Sequence, residues 1–284
     1  MAVLFLVNPF IIENIKELIY DKTILTIAGS DTLAGGGLQS DLKTFEDYRL
    51  FGLTAITCIA VVKKNQFEIH DLPTTLLQDQ LDTIKQEIDL SAIKLGLIHD
   101  VTSLSIVKDF LQSFDGPIVL DPVMAFKETN QVYSQNYRAG LIQLFPFATI
   151  VTPNLKEAEL LSQQKITTLA EMKQAAQAIV ELGAAAVVIK GGERLAGELA
   201  SDLFYDGNQF NLLSKPKLAK ATINGAGCTF ASAIASNLVL GKNLATAIAD
   251  SKEFVYQSIF NGITLKNGEG NVWYGNSIET EEQT

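Results

Sequence analysis

The segment TINGAGCTFASAIA (222–235) sets two glycines around a small residue and follows them with Cys228, one of two cysteines in the chain. Gly225 and Gly227 let the backbone turn with positive φ, and Ala226 keeps the loop uncrowded. The N–H groups of 225–228 then point outward at a helix N-terminus, where an anion is favoured. Such a cradle suits the charge that builds on a phosphoryl group in transit. The same field lowers the pKa of Cys228 toward that of a usable base or nucleophile. By spacing alone, a glycine-rich helix start with a buried thiol reads equally well.

Other clusters bear on the choice. Lys190, Gly191 and Gly192 end an apolar run, AAVVIKG (185–191), where a lysine must meet an anion or leave the core. Nucleotide phosphates are the functional reading for Lys190; taken alone, a lysine that reaches solvent is the simpler one. In TPNLKEAE (152–159), Glu157 follows Asn154 by three residues, the spacing of an ordinary capping box. The same pair could organise Mg²⁺ and its waters around phosphates. Asp121 ends PIVLD as an expected unpaired carboxylate, either a second Mg²⁺ ligand or a turn-stabilising group. GSDTLAGGGLQSD (29–41) opens a helix with three glycines and could admit a flat ligand, but lacks both the G-x-G-x-x-G spacing and a Walker ending. His70 and His99 show no metal-ligand spacing and read as incidental, and Cys58 reads as core.

Positioning these clusters is the task of short apolar runs at 23–28, 53–62, 92–98, 117–123, 148–153 and 185–191, which predict strands. Several lack alternation, as expected of strands buried on both faces of a parallel sheet. Helical periodicity lies between them, over 38–50, 75–89, 101–114, 134–145, 155–163 and 168–182. A hairpin is predicted over 202–214, and two closing helices from near Cys228 to Gly241 and over 244–260. The pattern predicts one α/β domain (22–276), a mostly parallel sheet sandwiched by helices, with a polar tail at 277–284. Ligands of such sheets bind at the carboxyl ends of the strands, where all these clusters fall.

Composition narrows the partners. A formal charge of −10 disfavours nucleic acid and anionic membranes, so an anionic ligand needs local help from loops, helix ends, a metal or single lysines. Two cysteines give no disulfide framework and suit a reducing cytoplasm. The apolar start, MAVLFLVNPFII, has no Lys or Arg before Lys16 and is broken by Asn8-Pro9, unlike a signal peptide or a membrane span. Residues 1–21 read as an add-on of unknown role.

The ordered set TIAGSDTLAGGGLQSDLKTF, KLGL, LDPVM, VTPNLKEAE, VIKGG, SDLFYDG and NGAGCTFASAI resembles the hydroxymethylpyrimidine kinase branch of the ribokinase-like superfamily, from about Thr23 to Trp273. Within that branch it is most similar to the Gram-positive pyridoxal kinases. The resemblance implies a three-layer αβα sandwich, a homodimer, and transfer of the ATP γ-phosphoryl group to a hydroxymethyl on a flat nitrogen heterocycle. It implies that Gly225, Ala226 and Gly227 form an anion hole and that Cys228 stands where the catalytic base stands. Asn154 and Glu157 then serve Mg²⁺ and phosphate, with Lys190 on the phosphates. Gly29, Asp31, Gly36, Leu97 and Val123 fall on positions lining the heterocycle pocket.

Departures from the family pattern are Asn224, where histidine is frequent, Gly36, where alanine is, and Val62, where the pyrimidine kinases usually carry glutamine. Valine leaves an aminopyrimidine edge unpaired, at about 1–3 kcal/mol if buried, which favours pyridoxal. Pyridoxal also presents an aldehyde to which the Cys228 thiol can add. The expected activity is thus ATP- and Mg²⁺-dependent phosphorylation of pyridoxal. The rivals are a pyrimidine kinase of thiamine synthesis, a non-catalytic vitamin B6-binding protein, and a thiol hydrolase that lacks a partner histidine.

Overall fold

The computed structural model describes residues 22–63, 66–124, 134–192, 194–220, 222–266 and 268–274. The N-terminal add-on (1–21) and the polar tail (277–284) lie outside the described residues.

Six apolar runs form the parallel heart of a nine-stranded sheet. These are β1 (Thr23–Asp31), β2 (Phe51–Lys63), β4 (Ala92–Leu95), β5 (Ile118–Leu120), β6 (Ile150–Val151) and β7 (Val187–Lys190). Three antiparallel strands, β3 (Gln66–Asp71), β8 (Leu199–Tyr205) and β9 (Phe210–Pro216), extend the edges to give the order β3-β2-β1-β4-β5-β6-β7-β8-β9. The β8–β9 hairpin is the predicted one, its turn tied by the Asp206 carboxylate accepting from the Asn208 and Gln209 N–H groups. Strand β3 is not predicted, because Phe67 and Ile69 alone make too brief an alternation to separate a strand from a loop.

Helices cover both faces. On one lie α2 (Thr74–Glu87), α3 (Val101–Leu111), α4 (Gln135–Ile142), α5 (Leu155–Ser162) and α6 (Leu169–Glu181). On the other lie α1 (Gly37–Asp47), α7 (Ala226–Val239) and α8 (Leu244–Phe260). The architecture is the expected three-layer αβα sandwich. A short ribbon, β10 (Ile263–Thr264) and β11 (Gly270–Asn271), follows α8.

Side chains alternate across a strand, and here the alternation decides function. Leu25, Ile27, Ile93, Leu95, Ile118, Leu120, Val187 and Ile189 enter the core under α2–α6. Ile24, Ala92, Val119, Ile150, Ala186 and Val188 enter the core under α1, α7 and α8. Continuing the second series by twos places Thr26, Lys94, Asp121, Thr152 and Lys190 on the α7 face, toward the carboxyl ends of their strands. Polar groups buried there must pair with one another.

Lys94 and Asp41 illustrate this. Neither side chain has solvent exposure, and Nζ lies 2.8 Å from Oδ2 of Asp41 on α1. Thr26 Oγ1 donates to the same carboxylate at 2.6 Å and Ser232 Oγ, from α7, at 2.7 Å. Gly96 makes room for the lysine head, since a Cβ there would stand 2.8 Å from Nζ. One charge pair therefore joins β1, β4, α1 and α7. Substituting Lys94→Met strands a buried carboxylate and should cost about 3–5 kcal/mol, whereas the neutral double variant Asp41→Asn/Lys94→Met should recover most of it. Urea denaturation of both variants checks this; equal losses would show that pairing is not the source of the stability.

Candidate active site

The turn NGAGC leads into α7. Gly225 takes φ 84° as the N-cap, and a Cβ there would run into the Gly35 carbonyl, so this position requires glycine. Gly227 and Cys228 lie in the first turn of α7, where N–H groups have no partner in the helix ladder. Ala226 departs from the expected open cradle, because its N–H is spent on the Ile223 carbonyl at 3.2 Å. The C-terminal ribbon steadies the turn: Asn224 donates to the Gly270 carbonyl at 3.0 Å and accepts from Val272 N–H at 3.0 Å. Asn271 then reaches Leu33 of the 29–36 loop through Nδ2 at 3.3 Å. This clamp leaves no signal in the sequence beyond an asparagine among glycines.

Strand ends bring the charged groups to the same place. Lys190 Nζ sits 2.7 Å from Asp121 Oδ1, and Thr152 Oγ1 donates to that oxygen at 3.2 Å. Asp121 is therefore not the unpaired carboxylate expected, since the alternation of β5 and β7 points both groups to one side. A Cβ on Gly227 would lie 3.3 Å from Lys190 Nζ, which puts the ammonium beside the turn. Burial works against that charge, but Asp121 and Glu157 outweigh it and hold the lysine's pKa above its ordinary value. Asn154 caps α5 by accepting from Glu157 N–H at 3.0 Å, and the Glu157 carboxylate accepts from Asn154 N–H at 2.8 Å. The capping box is real, and it presents a buried glutamate to the lysine. Burial pushes Glu157 up to about 7, with Lys190 opposing and Asp121 adding to the rise.

One cavity of about 460 Å³ gathers Gly36, Asp121, Val123, Asn154, Glu157, Lys190, Gly192 and 225–228. It continues past Lys215–Leu218 to Val255, Tyr256 and Ile259, a half-apolar end that sequence reasoning passes over. Asp202 and Lys252 are also missed, although Asp202 stands in the quoted SDLFYDG; they pair at 2.6 Å on the cavity wall, and Asp202 accepts from Gly191 N–H at 3.0 Å.

Gly29, Asp31, Val62 and Leu97 do not line this cavity. Gly29 packs on Cys58 and Leu97, with a Cβ there falling 2.7 Å from the Cys58 sulfur. Asp31 accepts from Leu33, Gly35 and Gly36 N–H at 2.8–3.0 Å and so shapes the loop. Val62 lies at the outer end of β2 and is half exposed. Cys58 is buried, as expected. His99 pairs with Asp71 and His70 with Glu68, away from the cavity.

Cys228 is half-buried, and its sulfur lies 3.8 Å from where a Gly36 Cβ would be. Burial pushes the thiol up to about 11, opposite to the expected lowering, although Lys94 pulls it down. The helix end is present, but loss of water outweighs it.

For Mg²⁺, Asp121 and Glu157 line the same cavity, and no cluster of three or more His, Cys, Asp or Glu suited to a metal occurs among the described residues. Two carboxylates fit an ion that keeps waters and takes its remaining ligands from phosphates.

A sequence model of the phosphomethylpyrimidine kinase family matches residues 31–273. The chain belongs to this family. It is a phosphotransferase with an alcohol group as acceptor. Its family relatives include a putative pyridoxine kinase of Staphylococcus epidermidis, 39% identical over 91% of this chain and 96% of the relative. A hydroxymethylpyrimidine/phosphomethylpyrimidine kinase of Haemophilus influenzae is 37% identical over 88% and 95%. Among solved structures, the pyridoxal kinase of Staphylococcus aureus in complex with AMP-PCP superposes with a TM-score of 0.85 at 36% identity, covering 92% of this chain and 96% of that one.

Because the folded-state value of Glu157 lies above its unfolded one, stability should fall as pH rises from about 4.5 to about 7. Glu157→Gln keeps the cap and should remove that slope, leaving the variant more stable than wild type at pH 8. Denaturation midpoints across this range check it.

Proposed function

We propose that the protein phosphorylates the hydroxymethyl group of pyridoxal with ATP to give pyridoxal 5′-phosphate. What carries the reading is the convergence of Lys190, Asp121, Glu157 and the first turn of α7, with Cys228, on one cavity. Its half-apolar end beyond Lys215 suits a nucleotide base, which would direct the phosphates toward Lys190 and the turn. The first-turn N–H groups and Lys190 would then hold the migrating phosphoryl group as charge spreads over its oxygens. Bound Mg²⁺, held by Glu157 and Asp121, would neutralise phosphate charge.

Cys228 would take the hydroxymethyl proton as attack proceeds. A thiol held near 11 is neutral at pH 7, so kcat/KM should climb with pH from 7 toward 10. Before the transfer step the same thiol can hold the substrate reversibly: S–H adds across the aldehyde, sulfur bonds to carbon, and the former carbonyl oxygen takes the proton. The reverse addition must free the sulfur before it acts as base. Pyridoxal is preferred because the similar proteins include a putative pyridoxine kinase of Staphylococcus epidermidis, a pyridoxine kinase of Bacillus subtilis and the pyridoxal kinase of Staphylococcus aureus.

Cys228→Ala should lower kcat by roughly 10²–10⁴-fold, the usual worth of a positioned base. Near-wild-type turnover would remove Cys228 from the mechanism. The Haemophilus influenzae relative supplies the second reading, a hydroxymethylpyrimidine kinase. Competing the two substrates in one ATP-consumption assay decides between them, and a kcat/KM favouring the pyrimidine overturns the first.

A further inference from the structure

The Cys228 sulfur needs a countercharge if it is to work as an anion, and the first turn of α7 alone does not supply enough. Ser232 stands one helical turn beyond Cys228 on the same face of α7 and donates to Asp41. Asp41 stands one turn beyond Gly37, whose N–H points at the Cys228 sulfur. The Asp41–Lys94 pair therefore lies one helical turn along from the thiol on both α1 and α7, in a layer with no solvent exposure, and both its charges act on the sulfur. The other charged groups facing the sulfur are accounted for: Asp121 and Lys190 pair with each other, and the Asp31 carboxylate is filled by loop N–H groups.

We propose that Lys94, fixed in place by Asp41, is a positioning residue that supplies the buried positive charge against which the Cys228 sulfur is deprotonated. Lys94 acts through Cys228 and reaches no substrate atom. Among the charged groups acting on the thiol, Lys94 favours the anion more than Asp41 opposes it, and Asp121 opposes it too. Thiolate is the reactive form, so the pair sets how much reactive sulfur exists at a given pH. The inference deepens the proposed role of Cys228 and rests on it, but its test reads the sulfur and not phosphoryl transfer.

Full-length wild type, Lys94→Met and the double variant Asp41→Asn/Lys94→Met are each treated with iodoacetamide from pH 7 to 10, with modification of Cys228 followed by peptide mass spectrometry. Alkylation should slow by about tenfold or more in Lys94→Met at each pH, equivalent to about one pKa unit. In the double variant it should slow by less, because the opposing Asp41 charge is gone as well. The alkaline limb of kcat should move up with it while KM for ATP stays put. A merely structural role predicts the reverse, since a loosened site exposes the thiol and speeds alkylation. Unchanged or faster alkylation in the variants overturns the proposal. Should Lys94→Met not fold, the double variant, which strands no buried charge, decides on the same criterion. If the ordering holds in a protein that transfers no phosphate to pyridoxal, the proposed function fails while this inference stands.

Discussion

A lysine and an aspartate with no exposure to water hold the active-site side of this protein together. Burying two charges costs several kcal/mol per ion after relaxation, and their attraction offsets this only with good geometry and further hydrogen bonds. Both conditions are met, with Thr26 and Ser232 donating to the carboxylate that Lys94 binds. Four elements are thereby tied at one point, β1 and β4 from the sheet and α1 and α7 from the layer above. The turn before α7 and the loop before α1 open the two helices so joined. Their closeness, tight enough that Gly225 has no room for a Cβ against Gly35, follows from that anchoring.

Above the anchor lies a second set of charges, Asp121, Lys190 and Glu157, arranged differently. Here the ammonium is shared between two carboxylates, one of them held near 7 by burial. This group is close to balance, which suits a site receiving a polyanion with a divalent cation. A cation bound at Glu157 would compete with a proton, which would link ligand binding to protonation there. The contrast separates the roles. The lower pair is sealed from water and reaches no ligand itself, while the upper set keeps a lysine beside N–H groups that the helix leaves over.

Much of this is legible in the residues. Among the described residues, the six parallel strands and eight helices follow from apolar runs and period, and residues 225–228, Asn154, Glu157 and Lys190 fall on one cavity as their spacing suggests. What escapes is whatever depends on pairing across long sequence separations. Asp121 reads as unpaired because its lysine lies 69 residues on, and Lys94 hides in an apolar run because its aspartate lies 53 residues away. The face on which a strand's polar residue emerges is set by the helix packed there, which periodicity in a doubly buried strand does not reveal. The thiol misleads for another reason: the helix end is local and visible, whereas the desolvation that outweighs it is tertiary. Val62 reads as a residue facing the heterocycle edge, yet it is half exposed at a strand end and does not line the cavity.

The central claim is that the first turn of α7, flanked by Lys190 and Cys228, is where the phosphoryl group passes. A crystal structure with ADP, magnesium, a planar aluminium fluoride and pyridoxal tests it most directly. The account predicts the fluoride within hydrogen-bond reach of the Gly227 and Cys228 N–H groups and of Lys190, with the substrate hydroxymethyl oxygen against the Cys228 sulfur. A fluoride bound away from that turn, or a hydroxymethyl directed elsewhere, would contradict it.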